Sequence, residues 1–156
     1  MNEDIARLRA VADYQFGRGA GAALFPHDTR IEYSKNTGKP RHLWASDELV
    51  ANYRPNDALF TVTIAGARRL VAAIKEFKYS VRIMDDVVEI VEQGKNVFAR
   101  HVRDAGESIR PGDEVVVVDE SGKVVAVGKS KMNHSDMLSF KTGTAVRVRR
   151  GRKKDR

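Results

Sequence analysis

The chain has 156 residues, 42% of them hydrophobic, and a formal net charge of +7. It has no cysteine, which excludes disulfides, thiolate zinc sites and cysteine nucleophiles and is typical of a cytoplasmic protein. No apolar run reaches the ~18 residues of a membrane span, and the charged, amphipathic start is not that of a signal peptide.

The positive charge is concentrated at the C-terminus. Seven of the Lys and Arg residues lie in residues 147–156, so a nearly neutral body precedes a basic tail. Such a tail is typical of proteins that bind nucleic acid or another anionic surface. The alternative is a disordered, solubilising end with no partner.

The first half of the sequence predicts a small α/β domain over residues 1–77. Residues 3–15 place Ile5, Leu8, Val11 and Ala12 on one face of a helix. The segment "IEYSKNTGKPRHLWA" predicts a hairpin, "ELVANYR" a strand or a helical turn, and "DALFTVTI" a strand. The segment "AGARRLVAAIKEF" is the clearest amphipathic helix.

The second half, residues 78–156, predicts a compact β-barrel with two short helices. Strands are expected at "YSVRIM", "NVFARHV", "DEVVVVDE", "VVAVGKSKM" and "TAVRVRR". The segment "DDVVEIVEQ" predicts a helix that ends at Gly94, and "NHSDMLSF" predicts a helical turn or two after an N-cap at Asn133 or Ser135. The fold class is therefore α+β.

No catalytic or metal-binding constellation is found in the sequence. The glycines of "GRGAG" follow a predicted helix instead of a strand, which is the wrong context for a dinucleotide loop. None of the four histidines has ligand spacing to another histidine or carboxylate. Asp85 and Asp86 are explained as acids at a helix N-terminus. We therefore expect no enzyme activity, no cofactor and no metal.

The junction "EQGKNVFARHV" has two interpretations. One is a helix C-cap with solvated neighbours. The other is a site that grips a phosphate backbone: a glycine allows close approach, Lys95 supplies a mobile charge, and Asn96 supplies donors and an acceptor. Phe98 could stack on a base, although its strand pattern favours the core. Arg100 and His101 are expected on opposite faces of a strand, so at most one of them faces RNA.

The last two predicted strands repeat this chemistry. Gly128 followed by Lys129 would again allow a phosphate to approach, and Lys131 shares a face with Lys129 if the strand is regular. Arg147 and Arg149 alternate outward on the final strand, with Val146 and Val148 inward. These cations favour a nucleic-acid surface.

Three segments in the second half resemble a PUA domain in order and spacing: "GKNVFARHV", "PGDEVVVVDESGKVVAVGKS" and "GTAVRVRRG". More closely, they resemble the PUA domain that ends archaeal tRNA-guanine transglycosylases. Upstream, "ADYQFGRGAGAALFP" and "RPNDALFTVTIAGARRL" resemble the accessory domain that precedes PUA in those enzymes and in archaeosine synthases. The catalytic barrel of those enzymes has no counterpart in the sequence.

The resemblance implies a PUA-type β-barrel and RNA binding. The PUA residues it implies at the interface are Gly94, Lys95, Asn96, Val97, Phe98, Gly128 and Lys129; the residues themselves add Arg100, Lys131, Arg147 and Arg149. The predicted function is a non-catalytic module that binds tRNA and supports tRNA modification in the archaeosine pathway, with a separately encoded catalytic subunit as partner. The alternative is a stand-alone PUA factor acting on the ribosome or on RNA in general.

Overall fold

The computed structural model describes residues 3–153, and these divide into two compact units at the boundary between Glu76 and Phe77. The first unit combines helices with an antiparallel sheet, and the second is a nearly closed β-barrel with short helices. The expected α+β class is therefore confirmed. No helix among residues 3–153 has the length and apolar character needed to cross a membrane.

The first unit contains a four-stranded antiparallel sheet whose strands lie in sequence order. The helices are α1 (Glu3–Phe16), α2 (Ala20–Leu24) and α3 (Ile64–Ala73), and the strands are β1 (Arg30–Tyr33), β2 (Pro40–Ala45), β3 (Glu48–Arg54) and β4 (Leu59–Val62). The segment "ELVANYR", for which the sequence allowed a strand or a helical turn, forms the strand β3.

The predicted hairpin joins β1 to β2. Its turn is closed by the Ser34 N–H, which donates to Lys39 O at 2.8 Å, and by Gly38 at φ 72°, a left-handed conformation that suits glycine. Three of the four residues predicted on the inner face of α1 are buried: Ile5, Leu8 and Ala12. The apolar side of the helices therefore forms the core that the sequence pattern indicated.

The second unit is built on a six-stranded sheet of order β6-β10-β9-β8-β5-β7. Its elements are β5 (Ser80–Ile83), α4 (Val88–Val91), β6 (Val97–Phe98), β7 (Val102–Ala105), β8 (Glu114–Val118), β9 (Val124–Ser130), α5 (His134–Ser139) and β10 (Thr144–Gly151). All neighbouring strands pair antiparallel except β5 and β8, which are parallel. Valines from β8 and β9 are buried on both faces of the sheet, and Val115, Val117 and Val125 belong to the barrel core.

The segment "NVFARHV" is not the single strand that its composition predicted. β6 has two residues, a 3₁₀ turn follows at Ala99–His101, and β7 begins at Val102. The reason is topological: β6 and β7 lie at opposite edges of the sheet, so the chain must turn between them, and that short link brings the two edges together. The Ala99 N–H still bonds to Gly143 O at 2.9 Å, which keeps the turn beside β10.

The helix predicted at "DDVVEIVEQ" divides into a 3₁₀ turn, Asp85–Val87, and the single turn of α4. Val87 and Val91 are buried, whereas Ile90 is exposed. Gly94 adopts φ 106° and donates its N–H to Val91 O at 2.9 Å, so the helical segment ends at the predicted glycine. Asn133 is the N-cap of α5, because its side chain accepts a hydrogen bond from the Asp136 N–H.

Candidate nucleic-acid interface

The corner after Gly94 is fastened to β10 by Asn96. Its side-chain oxygen accepts a hydrogen bond from the Val148 N–H at 2.9 Å. The pairing of β6 with β10 begins at Val97 and Val146, so Val148 lies beyond it and the Asn96 side chain takes the place of a strand partner. Asn96 therefore uses its acceptor inside the fold, and its NH₂ group is the part that can donate to a ligand. Lys95 beside it is exposed.

Phe98 and Val97 exchange the roles that the sequence suggested. Val97 is fully buried and pairs with Val146, whereas Phe98 is 39% exposed and pairs with Thr144. The alternation along β6 allows only one of two adjacent side chains to enter the barrel, and Val146 lies opposite Val97. The expectation that Phe98 belongs to the core was wrong. Val97 can offer a ligand only its backbone.

Arg100 extends the exposed edge beyond Phe98. Its guanidinium carbon lies 5.4 Å from the centre of the Phe98 ring, within cation–π range, and its side chain is exposed. The His101 ring packs against the same phenyl ring with centroids 5.8 Å apart. Because the two residues sit on a 3₁₀ turn, the strand-based expectation of opposite faces does not apply.

His101 has a buried ring nitrogen: its Nδ1 has no hydrogen-bond partner within residues 3–153. Burial lowers the pKa of His101 below its ordinary value, and the nearby Arg100 charge lowers it further, while Asp86 acts in the opposite direction. The neutral imidazole is therefore the form that the fold favours.

We expect His101 to make the protein less stable in acid. In the unfolded chain the imidazole takes up a proton near pH 6.5, whereas the folded state resists it, so stability is lost as the pH falls below that value. The free energy of unfolding, measured with urea, should change less between pH 8 and pH 5 in His101→Gln than in the wild type. Arg100→Gln leaves the His101 ring buried, so it should reduce this change in free energy only in part. An unchanged difference in His101→Gln would contradict this assignment.

Charged side chains form a row across β8, β9 and β10. Lys129 on β9 lies directly opposite Arg147 on β10 and, on its other side, opposite Glu114 on β8. Lys129 and Arg147 are exposed, and neither has an ion pair within the described part of the chain. Like charges directly opposite each other are unfavourable in an antiparallel pair. A bound anion would remove that cost.

Lys131 and Arg149 differ from these two cations. Lys131 is exposed just beyond the end of β9, where its N–H bonds to Ala145 O at 2.8 Å. Arg149 binds Glu114 with both terminal nitrogens, Nη1 to Oε1 at 2.9 Å and Nη2 to Oε2 at 2.5 Å. The structure thus places the predicted cations on adjoining strands but gives Arg149 an acidic partner.

Gly128 is required by packing between strands. A Cβ atom there would lie 2.2 Å from Arg147 O and 2.9 Å from the Val148 Cα. The residue is buried, so its backbone is not open to a phosphate in the way the sequence suggested. The role of Gly128 is to let β9 and β10 approach each other, which in turn aligns Lys129 with Arg147.

The basic tail is partly a structural element. Gly151 is the last residue of β10, and the Arg152 Nε bonds to Glu92 Oε1 at 2.8 Å. The Lys153 N–H bonds to Glu92 O at 2.9 Å. The alternative of a disordered end is therefore wrong for residues 147–153. Residues 154–156 lie outside the described part of the chain.

Two buried acids, Glu92 and Glu114, were missed by sequence reasoning. Each binds an arginine of the C-terminal segment, 60 and 35 residues away respectively. Only the sheet register brings these pairs together, so no local signal could have revealed them. No cluster of three or more His, Cys, Asp or Glu side chains that could hold a metal ion occurs within residues 3–153.

Comparison with known families accounts for both units. Residues 6–76 match the patch-forming domain C2 of tRNA-guanine transglycosylase, and residues 79–152 match the PUA domain. The chain therefore combines a C2 domain with a PUA domain. Both matches are to accessory domains and not to the catalytic barrel.

Curated relatives extend the match over nearly the whole chain. It is 41% identical over 152 residues to the tRNA-guanine(15) transglycosylase of Methanobrevibacter smithii, covering 97% of this chain and 23% of that protein. The enzyme of the same name from Thermococcus kodakarensis is 41% identical over 144 residues, covering 92% and 24%. The chain thus spans about a quarter of these relatives' length and corresponds to their C-terminal module.

Solved structures share the fold. The hypothetical protein PH0734.1 of Pyrococcus horikoshii has a TM-score of 0.78 at 22% identity, covering 98% of this chain and 92% of that one. A PUA domain protein of Thermoplasma acidophilum has a TM-score of 0.67 at 18% identity, covering 98% and 91%. The same fold therefore also occurs in proteins scarcely longer than this chain.

Proposed function

We propose that this C2–PUA chain is a non-catalytic module that binds tRNA and supports its modification. The observation that carries the proposal is the cation pair Lys129 and Arg147, directly opposite on β9 and β10 with no ion pair within residues 3–153. Asn96 fastens the corner that carries Lys95 to the same strand, β10. Phosphates attract such a fixed set of cations regardless of base sequence.

The choice of tRNA rests on the relatives. Their shared name, tRNA-guanine(15) transglycosylase, states that they act on tRNA, and this chain resembles their C-terminal module at 41% identity. A module of this kind raises the local concentration of substrate at the reacting centre. It would lower the apparent KM for tRNA of a catalytic partner and change kcat less.

The partner we propose is a separately encoded catalytic subunit of a transglycosylase or archaeosine synthase, working in the cytoplasm. A guanine-exchange assay with a candidate subunit, with and without this chain, tests the partnership. We expect the apparent KM for tRNA to fall when the chain is added, and we expect no exchange by the chain alone. Exchange by the chain alone, lost on substitution of one of its own acids, would show that it has an active site.

RNA binding itself is tested by its salt dependence. If three to five cations contact phosphates, each contributing about 0.7 to 0.9, log K should fall with log salt at a slope of about −2 to −4. Lys95→Ala and Lys129→Ala should weaken tRNA more than an unstructured RNA, because these cations sit on a rigid surface. A flat salt response would refute the phosphate-contact mechanism.

Lys123→Ala is the matched control. Lys123 is an exposed lysine in the turn before β9, and Lys129 lies near the other end of that strand. Six residues of strand separate the two by about 20 Å. Lys123→Ala should therefore leave the affinity for tRNA close to that of the wild type. An equal loss in all three variants would indicate a general charge effect and no defined site.

A stand-alone RNA-binding factor is the second candidate. It is favoured by the solved structures that share the fold, since this chain covers 92% and 91% of them. Pull-down from native lysate, with identification of both proteins and RNA, separates the two candidates. Recovery of a transglycosylase subunit with tRNA supports the first, and recovery of ribosomal or mixed RNA without such a subunit supports the second.

A further inference from the structure

Lys129 has an acid on one side and a cation on the other. In the register of β8, β9 and β10, Glu114, Lys129 and Arg147 are directly opposite one another. Such neighbours have Cβ atoms roughly 5 Å apart. The Glu114 side chain is only 1% exposed, and a buried carboxylate is costly unless a cation pairs with it. By register alone, Lys129 is the cation that Glu114 would take.

Glu114 instead pairs with an arginine that is not opposite it. Arg149 falls at the register shift of β10, between Val148 and Arg150, and reaches across β9 to the carboxylate. Its guanidinium forms a bidentate contact with the carboxylate, and a lysine ammonium cannot form such a contact. Arg149 therefore outcompetes Lys129 for Glu114.

We propose that Arg149 is a positioning residue for RNA binding, and that it acts by binding Glu114 so that Lys129 stays available for a phosphate. The inference rests on the proposed function, since it assigns work within the same interface. It gives two arginines of β10 different roles: Arg147 faces the RNA phosphates beside Lys129, and Arg149 prevents an internal ion pair from neutralising Lys129.

The first test is a set of variants measured for tRNA affinity against salt. Arg149→Gln should let Glu114 pair with Lys129, so we expect a loss of about tenfold and a salt slope shallower by about one contact. Adding Lys129→Gln to that variant should cost little more. Arg149→Lys keeps a charge beside Glu114 but loses the paired contact with both carboxylate oxygens, so its affinity should lie between those of the wild type and Arg149→Gln.

The decisive comparison uses two variants that both lack the Glu114 carboxylate. Glu114→Gln and the double variant Glu114→Gln/Arg149→Gln should bind tRNA within about twofold of each other, because Lys129 is free in both. If Arg149 touched RNA directly, the double variant would be about tenfold weaker, and the proposal would be overturned. Thermal unfolding of each variant confirms that the fold is retained.

A readout independent of RNA separates this inference from the proposed function. The side-chain NMR signals of Lys129 should change on Arg149→Gln, as its ammonium gains a carboxylate partner, and should return in the double variant. If these shifts occur but the wild type shows no salt-dependent RNA binding, the ion-pair exchange stands and the proposed function fails. If RNA binds and Lys129 does not respond, the inference fails alone.

Discussion

Gly128→Ala is expected to destabilise the second unit by at least about 3 kcal/mol. The added methyl group would lie 2.2 Å from Arg147 O and 3.0 Å from the carbonyl carbon of the same residue. Both atoms belong to the backbone of β10, which pairs with β9 along its length, so neither can move aside without separating the strands. The substitution therefore acts through packing and not through an altered ligand contact.

The measurement must separate the two units. Trp44, the sole tryptophan, lies on β2 in the first unit, so its fluorescence follows that unit. Amide exchange of the valines in β8 and β9 follows the second unit. We expect the valines to lose protection in Gly128→Ala while the Trp44 transition is retained.

Gly112→Ala provides the control. Gly112 has a left-handed φ of 94° but no atom within 4 Å of the added methyl group. It should therefore cost only the conformational penalty of roughly 1 kcal/mol. A Gly128→Ala protein with normal stability and no RNA binding would mean that Gly128 does contact RNA, as the sequence alone suggested.

The core strands could be predicted from the sequence because their signals are local. The valine runs of β8 and β9 and the alternation of β10 specify strands whatever the register. Gly94 likewise ends its helical segment through its own backbone conformation. These local features were enough to predict the barrel strands, and the positions of the cations on β9 and β10 follow from those strands.

The pairings between elements could not be predicted in the same way. Val97 and Phe98 exchange roles because β6 has only two residues, too few for an alternation to show which side faces inward. Whether Arg149 is free or paired depends on a register shift in β10 that no sequence pattern reveals. The sequence therefore identified the cations that these strands carry but not which of them are paired within the fold.

Truncation after Arg150 is expected to reduce the stability of the second unit by about 3 kcal/mol. It removes the Gly151 pairing with Ala126 and the hydrogen bond from the Arg152 N–H to Val125 O at 2.9 Å. It also leaves Glu92, whose side chain is only 12% exposed, without the guanidinium that binds it. Loss of one partner of a largely buried pair is strongly destabilising, because the other charge stays buried.

Truncation after Lys153 should behave differently. It retains Gly151, Arg152 and all of their contacts, and it removes only residues 154–156, which include Lys154 and Arg156. We expect unfolding free energy within about 0.5 kcal/mol of the wild type. Affinity should fall about equally for tRNA and for an unstructured RNA, since charges lost from the chain end carry no shape preference.

Urea unfolding and RNA titration of the two truncations, with Arg152→Gln as a third variant, decide between a structural and a purely electrostatic C-terminus. Arg152→Gln should reproduce most of the destabilisation of the longer truncation, because it removes the same ion pair with Glu92 while leaving β10 intact. Equal stability of all three proteins would show that the segment after Arg150 contributes only charge. A selective loss of tRNA binding in the shorter truncation would instead assign shape recognition to residues 154–156.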